Sequence, residues 1–123
     1  MEVLLVEDNP GFRRFLREEF SARFPSAIIE EAGDGEEAME KLDVFKPRLI
    51  FMHISLPGEN GFEVCQKVEE NHPEVGVIIL TNHDAPEYRK AAVQCGADHF
   101  FSKDDDLGNI LDAAQSILKS ERS

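Results

Sequence analysis

Short apolar runs rich in branched residues alternate with longer amphipathic stretches five times along this chain, and that rhythm constrains the fold more than any other feature. The runs are EVLLV (2–6), AIIEE (27–31), RLIFMH (48–53), VGVIIL (75–80) and DHFF (98–101). The third and fourth are almost uniformly apolar, as strands covered on both faces of a parallel sheet must be. Glu30 and Glu31 mark the second as an edge strand. The intervening stretches carry helical stripes: Phe12, Phe15, Leu16 and Phe20 in the first, then Ala38, Leu42 and Phe45. Phe62, Cys65 and Val68 mark the third helix, Tyr88, Ala91, Ala92 and Cys95 the fourth, and Leu107, Ile110, Leu111, Ala114, Ile117 and Leu118 the fifth. Alternating strands and helices with short connections demand parallel strands, right-handed crossovers and helices on both sheet faces. The fold class is α/β, a doubly wound five-stranded parallel sheet.

A chain of 123 residues suits one such domain, spanning 1–123. Its balance of 25 acidic against 13 basic residues, a net charge of -12, argues against nucleic acid and anionic lipid as partners. Cys65 and Cys95 lie in separate helical patterns without a Cys-x-x-Cys, and read as small core residues in a reducing compartment. The first residues lack the basic-then-apolar order of a signal peptide, and no apolar stretch is long enough to span a bilayer, so the cytoplasm is the expected location.

In a doubly wound sheet, chemistry gathers where the strands end, near the point at which strand order reverses. Those ends carry Glu7 and Asp8 after the first strand, His53 after the third, Thr81, Asn82 and His83 after the fourth, and Ser102 and Lys103 after the fifth. Asp8 or Asn9 also has a structural use, as the cap of the helix that begins near Pro10.

These residues bear a resemblance. VLLVEDNP, LIFMHISLPGENG, IILTNHD and ADHFFSK, in that order, resemble the motifs of the receiver domain of two-component response regulators, the CheY-like fold, over nearly the whole chain. The likeness implies a sheet order of 2-1-3-4-5. It also implies an Asp at the end of the third strand that accepts a phosphoryl group, with magnesium held by the acidic pair, that Asp and a backbone carbonyl, here that of Ser55. Thr81 and Lys103 would receive the phosphoryl oxygens, and Phe100 stands at the aromatic switch position. Lys103 would rest in a salt bridge with Asp8. At the acceptor position itself, however, this chain has His53.

Several roles are open to that histidine. It could be an idle polar tip; an acceptor of phosphate in its own right, with a ring nitrogen displaced from in-line geometry; or a ligand, with the two acids, for a transition metal such as zinc. The preferred reading is that the imidazole fills the pocket as a donor to Glu7 or Asp8, standing in for the cation and weakening magnesium binding. An Asp-to-His variant of an ordinary receiver would carry the same surrounding residues. The sequence thus points to a stand-alone, atypical receiver of bacterial two-component signalling, a protein-binding module rather than an enzyme. Its expected partner is a sensor histidine kinase or a downstream protein, met on the face of the fourth helix, fifth strand and fifth helix. The competing reading is a phosphoryl-accepting switch that uses His53 or another pocket residue and catalyses its own phosphorylation and hydrolysis. Thr81 and Lys103 also have plain uses, as a β-branched strand residue and a surface lysine, and Phe100 as core.

Overall fold

A computed structural model of the chain describes residues 1–54, 60–82 and 85–119. Among the described residues five strands, β1 (Glu2–Val6), β2 (Ile28–Ala32), β3 (Leu49–His53), β4 (Gly76–Thr81) and β5 (His99–Ser102), alternate with five helices. The helices are α1 (Pro10–Arg23), α2 (Gly35–Phe45), α3 (Gly61–Asn71), α4 (Pro86–Gln94) and α5 (Leu107–Lys119). The strands are all parallel, in the order β2-β1-β3-β4-β5, as the resemblance implies. β2 is an edge, as its glutamates suggest.

Strand alternation divides the core in two. On one face Val3, Leu5, Leu49, Phe51, Ile78 and Leu80 meet Leu16 and Phe20 of α1 and Ile110, Ala114 and Ile117 of α5. On the other Leu4, Val6, Ile50, Met52, Val77 and Ile79 meet Ala38 and Leu42 of α2, Val64, Cys65 and Val68 of α3, and Ala92 of α4. One member of the expected α1 stripe departs from it: Phe15 is 46% exposed. It lies about 100° around the helix from Leu16, off the edge of a stripe centred on Leu16 and Phe20, and rests beside the Phe12 ring.

The strands after β1 begin one residue later than their apolar runs. Arg48 and Asp98 enter the sheet by giving their N–H groups to Glu2 and Val77, and the paired register starts only after them. At the far end, Thr81 and Ser102 remain inside the ladder as register partners. Side-chain caps start three helices at the carboxyl edge of the sheet: Asn9 accepts from Phe12 N–H, Asp34 from Glu37 N–H and Asn60 from Glu63 N–H. Of the two candidates for the α1 cap, Asn9 takes the role, which leaves Asp8 at the mouth of the sheet.

Gly61 opens α3 pressed against the end of β3. Its N–H donates to Ile54 O at 2.7 Å, and a Cβ there would lie 2.3 Å from His53 O and 2.6 Å from Ile54 Cα. Both obstacles are backbone, so the closeness admits only glycine. Gly61→Ala is expected to cost about 1–3 kcal/mol, read as a lowered denaturant midpoint. A change within 0.5 kcal/mol, roughly the range of ordinary surface substitutions, would mean that α3 can step back freely.

Candidate functional site

The site is built on the ends of β1, β3 and β5. Directly after β1, Glu7 donates its N–H to Ala32 O, which carries it in line with the sheet, and it is 3% exposed. Both carboxylate oxygens have a partner: Oε2 accepts Asn9 N–H at 3.0 Å and Oε1 faces Lys103 Nζ at 2.7 Å. Its carbonyl accepts Arg13 Nη1 at 2.7 Å, and Arg13 also binds Glu31 on β2, so α1 is tied to the edge strand around Glu7.

Lys103 follows β5 and donates its N–H to Thr81 O at 2.7 Å. Its side chain is 9% exposed and runs under Phe12, with Nζ 4.3 Å from the ring centroid. The partner expected from the sequence was Asp8; the structure corrects this to Glu7. Glu7 turns into the site and is buried, whereas the Asp8 side chain is 39% exposed and faces water, where an ion pair gains little.

His53 ends β3 and is 8% exposed. Nδ1 lies 3.3 Å from Leu80 O on the adjacent strand. A carbonyl only accepts, so Nδ1 carries the proton and Nε2 faces the mouth of the site. The carboxylates lie at 3.8 Å (Nδ1 to Glu7 Oε1) and 3.9 Å (Nε2 to Asp8 Oδ1), ion-pair range for a charged ring but too long for hydrogen bonds. The hydrogen bond expected to run from the ring to an acid runs to the main chain instead, and the cation paired with Glu7 is Lys103.

Thr81 is fully buried at the end of β4 and contributes its carbonyl to Lys103. Asn82, beyond it, is exposed. Phe100 is half-buried against the α3–α4 side of the core, with the Arg89 guanidinium 5.1 Å from its ring centroid. Asp106 stands directly before α5 and its Oδ1 accepts Gly108 N–H at 2.8 Å, while Asp105 accepts Ser102 N–H. Ser55, Pro57 and His83 lie outside the described residues.

Glu7, Asp8 and His53 each bring one donor atom within 4.8 Å of the others, a possible metal site. Magnesium asks for a near-octahedral shell of oxygens; of the three donors here one is an imidazole nitrogen, and Glu7 Oε1 already faces Lys103 Nζ at 2.7 Å.

Sequence reasoning missed Arg13 and Phe12 as parts of the site. Phe12 belongs to a stripe that reads as core, and nothing marks a helical arginine as the partner of a strand-end carbonyl.

The fold agrees with comparisons to known proteins. Residues 3–115 match the response regulator receiver domain family. The chain belongs to that family. Among relatives of this receiver domain, the chemotaxis protein CheY of Halobacterium salinarum is 32% identical over 117 residues, covering 95% of this chain and 96% of that protein. The transcriptional activator ExaE of Pseudomonas putida is 30% identical over 118 residues, covering 96% of this chain but 55% of that protein. The chain thus spans nearly all of the first relative and about half of the second. In fold, the receiver domain is similar to the signal receiver domain of a DNA-binding response regulator from Colwellia psychrerythraea, with a TM-score of 0.91 at 21% identity over 98% of this chain and 99% of that one. The CheY-like receiver fold and membership of a two-component system follow for this receiver domain. Among the described residues no helix is long and apolar enough to cross a membrane.

Proposed function

We propose that this receiver domain is not switched by phosphorylation at the β3 position and works as a protein-binding module. The observation that carries the reading is the His53 ring, held by Leu80 O where a nucleophilic carboxylate oxygen is needed. The neighbouring geometry supports it. Among the described residues, two carboxylates against the ammonium of Lys103 leave a site charge of -1 with a neutral imidazole, and 0 with a protonated one. The attraction that draws a divalent cation into a receiver pocket is correspondingly weakened.

The binding surface is the face of α4, β5 and α5, offered to a sensor histidine kinase or a downstream protein. β5 is the sheet edge opposite β2, and His99, Phe100 and Phe101 are all only half-buried on it. Beside it α4 buries only Ala92 and leaves Val93 78% exposed. An edge strand and a lightly anchored helix with apolar groups in water supply both the contact area and the freedom to move that recognition uses.

Incubation with acetyl phosphate and magnesium, followed by intact-mass measurement, tests the reading. The mass is expected to stay that of the unmodified chain, with acetyl phosphate consumed no faster than in buffer. A phosphoryl adduct, or protein-dependent turnover without one, would overturn it in favour of a phosphoryl-accepting switch using His53 or another pocket residue.

A further inference from the structure

The two cysteines of the chain, thirty positions apart in sequence, meet on the side of the sheet away from His53. Cys65 lies mid-way along α3 and is fully buried; Cys95 follows the last turn of α4 and is 6% exposed. Their sulfur atoms are 2.8 Å apart, within about 0.8 Å of disulfide bonding distance. Each thiol also reaches the α4 terminus, Cys65 Sγ to Cys95 O at 3.4 Å and Cys95 Sγ to Ala92 O at 3.2 Å. The approach is built into the backbone. Gly96 sits at φ 90° directly after Cys95, and a Cβ there would lie 2.5 Å from Glu69 Cγ of α3. The positive φ favours glycine at the point where the chain leaves α4 in this direction.

We propose that Cys65 and Cys95 form a reversible intramolecular disulfide when the folded domain meets hydrogen peroxide, stapling the end of α4 to α3. The direction of attack follows from the surroundings. In the singly ionised pair the remaining S–H donates to the thiolate, and Cys95 also takes the N–H of Ala97, so the Cys95 thiol is drawn below the ordinary value and the Cys65 thiol is pushed up. The Cys95 thiolate attacks one peroxide oxygen, breaking the O–O bond and giving a sulfenic acid and hydroxide, which is protonated to water. The Cys65 sulfur then attacks the Cys95 sulfur, and hydroxide leaves with the thiol proton as a second water. Two thiols are oxidised by two electrons and one peroxide is reduced to two waters.

The bond would close a loop containing β4 and the whole of α4. α4 otherwise buries only Ala92, so the staple would remove most of its freedom. That this changes partner binding rests on the proposed α4–β5–α5 face; the disulfide itself does not.

The test uses the whole folded chain. After exposure to peroxide it is unfolded in N-ethylmaleimide and weighed. The expected product is a monomer lighter by two hydrogen atoms that takes up no maleimide, takes up two after dithiothreitol, and shows a Cys65–Cys95 linked peptide on non-reducing digestion. Its thermal midpoint is expected to rise on the order of 5–10 °C. Cys65→Ser should give only Cys95 oxyacids, and should show no rise. If that variant fails to fold, the linked peptide from the unaltered chain decides alone. Retention of two alkylatable thiols, stepwise oxygen addition without cross-linking, or a disulfide-linked dimer would each overturn the proposal. None of these readouts involves phosphoryl transfer or a partner, so they stand apart from the proposed function.

Discussion

Replacing His53 with aspartate is expected to give a domain that binds magnesium at least about tenfold more tightly and gains one phosphoryl group from acetyl phosphate. The substitution exchanges a ring hydrogen-bonded to Leu80 O for a short carboxylate at the end of β3 and takes the site charge from -1 to -2. A unit charge about 4 Å from a cation is worth roughly 4 kcal/mol at an effective dielectric near 20, so tenfold, about 1.4 kcal/mol, is a conservative floor. Without magnesium the variant should be less stable, because three carboxylates then share one lysine. Magnesium should restore it by binding only the folded state. Titration calorimetry and intact mass give the two readouts. A variant that neither binds magnesium nor takes phosphate would show that the histidine is not what distinguishes this pocket.

The second large effect concerns Lys103. Its ammonium lies 2.7 Å from Glu7 Oε1, with side chains 9% and 4% exposed, so neither charge can be handed to water by a small movement. Lys103→Met keeps the length of the side chain under the Phe12 ring but strands the carboxylate with a single N–H donor, from Asn9. The expected loss is about 3–5 kcal/mol, a large part of the 5–15 kcal/mol that holds a typical domain together. Adding Glu7→Gln should recover much of it, since the stranded charge goes while the hydrogen bond from Asn9 is kept. Urea titrations of both singles and the double give the coupling. A loss below about 1 kcal/mol for Lys103→Met would place the pair with exposed ion pairs and contradict the burial described here.

The strand–helix rhythm was legible because parallel sheets impose it: β3 and β4 are buried on every residue and read as unbroken apolar runs. The positions of Glu7, His53, Thr81 and Lys103 were legible for the same reason, since a polar residue closing such a run must lie at the sheet's edge. Pairing among them was not. Whether Lys103 meets Glu7 or Asp8 depends on which of two adjacent acids turns inward, and consecutive residues at a strand end face opposite ways. The hydrogen bond from His53 to Leu80 O was hidden because a main-chain acceptor leaves no trace in residue type. The same holds for the two sulfur atoms: each cysteine reads as core within its own helix, and their encounter depends on the turn taken at Gly96.

The sheet order carries a consequence for how the chain is made. No two neighbouring strands are joined by a tight turn; each contact bridges a helix, and β1 pairs on one side with β2 and on the other with β3. During synthesis the first strand therefore gains one neighbour early and keeps an open apolar flank until Met52 has left the ribosome. Architectures dominated by such distant pairings fold slowly and leave strand edges uncovered meanwhile. The hazard for this chain is one of timing: the flank stays open for as long as the residues from Ala32 to Met52 take to be made.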